Sequence, residues 1–101
     1  MQLSGLAGLE ANAGEAAQFL KLLANEQRLL ILCHLVARGE TTVNALADAV
    51  GLSQSAVSQH LARLRDDGLV AFRREAQTLH YRVTDGRAVR VLKTLKAVFC
   101  P

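Results

Sequence analysis

Residues 46–70, LADAVGLSQSAVSQHLARLRDDGLV, constrain this chain more than any other stretch. A short apolar helix over about Val43 to Val50 meets Gly51, a natural helix stop. Ser53 then opens a second helix that runs to about Asp67 and halts at Gly68. Two short helices joined by a tight turn form a helix-turn-helix. On a helical wheel, Ala56, Val57, His60, Leu61 and Leu64 share the inner arc. Gln54, Ser55, Ser58, Gln59, Ala62 and Arg63 share the outer one.

The outer arc is unusual for a surface. Between Ala49 and Ala62 there is no Asp, Glu, Lys or Arg. A solvated helix ordinarily carries Glu and Lys at i,i+4. Small neutral donors and acceptors are instead what a helix needs to approach base edges in a major groove. Gln54, Ser55, Ser58 and Gln59 are therefore the candidate base-reading residues. Charge resumes at Arg63 and Arg65, where such a helix would leave the groove and meet phosphate.

Around this core motif the periodicity predicts the remaining elements. Apolar residues recur at helical spacing from about Leu9 to Ala24, with residues 1–8 expected to be flexible. Asn25 is placed to cap a second helix reaching Arg38, stopped by Gly39. Only a narrow strip through Gln27, His34 and Arg38 is polar, which predicts a central, largely buried helix. After Gly68 the period drops to two. Leu79, Tyr81 and Val83 alternate with Thr78, His80 and Arg82, and Leu69 to Arg73 is the partner strand, with a turn near Glu75-Ala76-Gln77. A last helix spans about Gly86 to Phe99. The expected fold is mainly α with a β-hairpin wing, a winged helix-turn-helix in the order α-α-α-α-β-β-α, as one domain over residues 1–101.

Charge supports an anionic partner. Residues 1–50 hold three Lys/Arg against five Asp/Glu, while residues 51–101 hold nine against four. Arg73 and Arg74 flank the hairpin tip, and Gln77, His80 and Arg82 lie near its outward side. A basic hairpin beside a helix-turn-helix suits contact with phosphates or the minor groove. Taken alone, these arginines would read as a merely solubilising surface. No apolar run reaches the roughly 20 residues that cross a membrane. The N-terminal MQLSGLAGLEANAGE has no basic start or apolar stretch of a secretory signal, so the expected location is cytoplasmic.

The chain holds two cysteines, Cys33 within LLILCHLV and Cys100 in VFCP. A structural disulfide is unexpected in a reducing cytoplasm. Two Cys without further ligands make a poor zinc site, and His34, His60 and His80 form no metal-ligand spacing, so neither metal nor cofactor is expected. By itself Cys33 reads as an inert core residue, because free Cys is among the most buried types. Cys100 has little packing reason to stand near a chain end. Neither thiol carries the surroundings of a nucleophile and base, which argues against a small peroxidase or sulfurtransferase. Haem ligation through Cys or His, a general oxidant response, and a winged-helix module that binds only protein remain as rivals.

The segments LLANEQRLLILCHL, SQSAVSQHLARLRDDGLV, REAQT and LKAVFCP together resemble the ArsR/SmtB family of small bacterial winged-helix repressors, and more narrowly its persulfide-sensing branch. The resemblance covers residues 18–101. It implies a homodimer built through the first and last helices, presenting two recognition helices to double-stranded operator DNA. The split between the neutral face and its basic flanks makes Arg63, Arg65, Arg73 and Arg74 the candidate phosphate contacts, with Gln77 and Arg82 beside them. The resemblance also implies that reactive sulfur species bridge Cys33 and Cys100 through extra sulfur atoms, a tetrasulfide in the branch, and release the DNA. The metal-binding habit of other members is not carried over. TTVNALADAV contains no Cys, and GRAVRVLKTLKAV offers no Asp, His or Glu ligand.

Overall fold

A computed structural model describes residues 6–100. Its elements are α1 (Leu6–Leu23), α2 (Glu26–Arg38), β1 (Thr41–Thr42), α3 (Val43–Val50), α4 (Gln54–Asp66), β2 (Val70–Glu75), β3 (Thr78–Val83) and α5 (Gly86–Phe99). The expected helix and hairpin order is present, with one strand added.

Local chemistry sets most of the boundaries. The Asn25 side chain accepts a 3.0 Å hydrogen bond from the Arg28 N–H and starts α2. The Thr42 and Ser53 hydroxyls accept in the same way from Ala45 and Ala56, opening α3 and α4. Asp85 accepts from the Arg87 and Ala88 N–H groups at the head of α5. Gly51 closes α3 at φ 72°, a left-handed conformation that costs a side-chain-bearing residue about 1–2 kcal/mol.

Two expectations are corrected. Helix α1 begins at Leu6, three residues before the expected start at about Leu9, and residues 1–5 lie outside the described residues. Leu6 and Ala7 are strong helix formers, and the helix runs through Gly8 despite a cost of about 1 kcal/mol relative to Ala. Helix α2 is not buried all round. Ile31, Leu32 and Leu35 are fully enclosed, yet Leu30 is 44% exposed and Leu29, Cys33 and Val36 are only half-buried. The chain has too few elements to cover a helix on every side.

Strand β1 was not anticipated, because two residues are too short for period two to register. Thr41 pairs with Tyr81 and Thr42 with His80, giving an antiparallel sheet of order β1-β3-β2. This ties the wing to the start of the helix-turn-helix. The core joins Ile31, Leu32 and Leu35 of α2 to Leu46, Val57, Leu61 and Leu64 of the helix-turn-helix. Leu69, Val70 and Tyr81 complete it from the sheet, and Ala88 and Leu92 from α5. At ~25 cal/mol per Å² of apolar surface, each of these large side chains contributes about 1.5–3 kcal/mol.

Candidate nucleic-acid interface and thiol groove

Helix α4 is turned as its wheel predicts. Val57, Leu61 and Leu64 are fully buried, and Ala56 and His60 are half-buried. Gln54, Ser55, Ser58, Gln59, Ala62 and Arg63 are exposed. The uncharged face therefore lies on the surface, with three apolar anchors holding the opposite face on the core. Residues Arg63 and Arg65 follow in the last turn, where they also suit the negative end of the helix dipole. Arg63 approaches Asp67 only loosely, at 3.9 Å, while Arg65 lies 4.9 Å above the Phe72 ring. That stacking braces the end of α4 against the wing.

The wing is a regular hairpin with Glu75 opposite Thr78 and Ala76-Gln77 as its two-residue turn. Arg74, Gln77 and Arg82 are exposed, as a surface reaching DNA would require. Arg73 is placed differently. Its Nε donates to both Glu40 carboxylate oxygens at 2.8 and 3.0 Å, and its Nη1 donates to Glu75 at 2.8 Å. These hydrogen bonds hold the Glu75 carboxyl below its usual range, with the Arg73 bond the main cause. His80, half-buried across from Arg73, stands 3.9 Å from the same carboxylate.

Cys33 and Cys100 come together in a second region. An apolar groove of about 560 Å³ runs between α2 and α5, walled by Leu29, Leu30, Val36, Leu92, Leu95 and Phe99. Both thiol residues line it, with Lys93 and Lys96 at its edge. Cys33 is half-buried and Cys100 is exposed, and neither is in a disulfide. Burial pushes the Cys33 thiol above its ordinary value, and the nearby Cys100 adds to the effect. Cys100 caps α5, its N–H bonded to the Lys96 carbonyl at 2.8 Å. Among the described residues, no three His, Cys, Asp or Glu side chains cluster as a metal site would require.

Sequence reasoning did not find Gln27, Glu40 or Phe72. Gln27 accepts a 3.0 Å hydrogen bond at Oε1 from His60 Nε2, and Glu40 holds Arg73. Each partner lies 33 residues from the other, so no local spacing marks them. The helical wheel puts His60 on the inner arc of α4. It is hydrogen-bonded, but at the rim of the core.

Apolar side chains also remain uncovered on α1 and at the end of α5, where Phe99 is shared with the groove. Leu9 and Leu20 of α1 are 56% and 55% exposed, and Val98 and Phe99 of α5 are 66% and 74% exposed. Ala13 and Ala17 are exposed on α1 as well. Among the described residues, no helix is long and apolar enough to cross a membrane.

Residues 25–71 match the family model described as bacterial regulatory protein, arsR family. The chain is 43% identical to the HTH-type transcriptional regulator YgaV of Escherichia coli, over 98% of this chain and 100% of that protein. Reduced HlyU from Vibrio cholerae superposes with a TM-score of 0.85 at 44% identity, covering 93% of this chain and 98% of that one. The transcriptional repressor BigR from Xylella fastidiosa superposes with a TM-score of 0.88 at 36% identity, covering 94% and 96%.

Proposed function

Because this chain belongs to the ArsR family of bacterial regulatory proteins, we propose that it is a dithiol-switched repressor that holds operator DNA when reduced and releases it when reactive sulfur bridges Cys33 and Cys100. The observation that carries this reading is the convergence of the two thiols on one groove. They are the only cysteines in the chain. The family is one of DNA-binding regulators, not enzymes.

On the DNA side, Gln54, Ser55, Ser58 and Gln59 face base edges in the major groove. Gln pairs with adenine through two hydrogen bonds, and Ser adapts to several bases. Arg63, Arg65, Arg74 and Arg82 meet phosphate, with Gln77 at the wing tip. A second copy packs on the uncovered faces of α1 and α5, where Leu9, Leu20, Val98 and Phe99 would leave water. The resulting two-fold axis sets two copies of α4 against a palindromic site.

On the sensing side, the steps conserve sulfur and electrons. A thiolate takes the outer sulfur of a low-molecular-weight persulfide, becoming Cys–S–SH and releasing the carrier thiol. Repetition lengthens one chain to Cys–S–S–SH. The persulfide on the other cysteine then attacks the middle sulfur of that chain and expels hydrosulfide, leaving a tetrasulfide bridge. Each inserted sulfur adds roughly 2 Å of reach beyond the ~7 Å Cα limit of a simple disulfide. A pair held just beyond that limit would ignore simple oxidants and still close through persulfide sulfur.

Intact-mass spectrometry combined with an operator-release assay tests the proposal. A persulfide donor is expected to add sulfur between Cys33 and Cys100 as DNA is lost. The Cys33→Ser and Cys100→Ser variants should each bind DNA and fail to respond. Normal release by either variant overturns the reading.

A further inference from the structure

Helix α2 carries Cys33 at its middle and a polar tie near each end. At its first turn, Gln27 accepts from His60, which stands on the recognition helix α4. An amide carbonyl oxygen can only accept, so Nε2 of His60 carries the hydrogen. Among the described residues, this is the only side-chain hydrogen bond from α4 to another helix. Just past its other end, after Gly39, Glu40 holds the Arg73 guanidinium of β2 through two contacts to one nitrogen. Arg73 then reaches Glu75 at the wing tip.

We infer that these two ties make α2 a beam between the thiol groove and both DNA-contacting elements, with Gln27–His60 setting the recognition helix and Glu40–Arg73 setting the wing. Arg73 is thereby a positioning residue, its Nε held by Glu40 and its Nη1 by Glu75. A bridge at Cys33 tilts or shifts α2 against α5. The Gln27 end and the Glu40 end move with it, because both leave α2 within a turn of the helix. Alternatives through packing exist, since the buried Leu35 and Leu46 also link α2 to the helix-turn-helix. Apolar contacts, however, tolerate sliding better than a hydrogen bond, whose strength falls steeply with angle. The polar ties therefore fix the orientation that the apolar contacts leave loose.

This inference rests on the sensing reading above, and its test separates the two. The probe is a duplex enriched by the reduced protein from random-sequence DNA. Its affinity is measured for reduced and persulfide-treated protein, with the bridged mass recorded in each sample. Gln27→Ala and Glu40→Ala lie outside the DNA face. Exposed ties of this kind contribute modestly, so each should lower the reduced-to-bridged affinity ratio by about twofold to fivefold, and the double variant by about tenfold. The bridge should form as in the unaltered protein, with an unchanged melting temperature. Gln27→Glu, which keeps the acceptor, should restore the ratio. If both alanine variants form the bridge and release DNA with the full ratio, the beam is wrong. If the unaltered protein forms no bridge, the sensing reading fails, and a double-mutant cycle decides the ties alone. Gln27→Ala and His60→Ala must then be non-additive in operator affinity by more than about twofold, and additivity overturns the inference.

Discussion

Cys33 on α2 and Cys100 at the end of α5 line the same apolar groove, one half-buried and the other exposed. Their environments are unequal. Burial suppresses the Cys33 thiolate, which is the reactive form. Iodoacetamide at neutral pH should therefore label Cys100 first. The Cys33 rate should climb about tenfold for each unit of pH below its raised pKa. Peptide mapping of partly alkylated protein checks the order, and faster labelling of Cys33 would contradict it.

Gln59 stands in the middle of the uncharged face of α4, exposed and free of the core. Gln59→Ala is expected to cost on the order of 1–3 kcal/mol at the operator and little on random DNA. Arg74→Ala should instead weaken both and flatten the salt dependence. Anisotropy titrations at several salt concentrations distinguish the two. Equal loss on specific and random DNA after Gln59→Ala would remove the base-reading assignment.

His60 is held below its ordinary value, first by burial and second by the charge of Arg28. As pH falls through about 6.5, the unfolded chain takes the proton while the folded imidazole resists. Stability from this residue is thus complete above the unfolded value and is lost toward the depressed one. Melting temperature should fall as pH drops below about 6.5, and fall less in His60→Gln, which keeps a donor for Gln27. An identical slope in the variant would show that His60 is not the titrating group.

Ala76 is the only described non-glycine residue at positive φ, 56°, and it is the first central residue of the wing turn. That is the position where a type II′ hairpin turn takes glycine. Ala76→Gly should relieve this strain, with a net gain of about 0.5–1 kcal/mol once glycine's greater unfolded entropy is counted. Chemical denaturation measures it. A loss of stability would mean that the turn is unstrained with alanine.

What the sequence determined by itself is what local chemistry decides. Asn25, Thr42 and Ser53 cap helices with atoms three residues away, so the boundaries of α2, α3 and α4 are written in short spacings. The uncharged arc of α4 is likewise a property of one helix, and its exposure follows once Val57, Leu61 and Leu64 seek the core. Period two over residues 79–83 announced the wing. The tertiary structure decided which groups meet. The α2 wheel is apolar on nearly every side, and nothing in it says that α5 leaves Leu30 and the Cys33 side open while Ile31 and Leu32 are sealed. The reading of Arg73 as a phosphate ligand rested on its sign of charge. Its partner Glu40 arrives only because β1 pairs with β3 and brings the start of the helix-turn-helix beside the wing. The His60 tie to Gln27 is tertiary too, made where α4 meets the start of α2. Side-chain pairs separated by 33 residues are set by how helices pack, and packing depends on the volumes of all the neighbours at once.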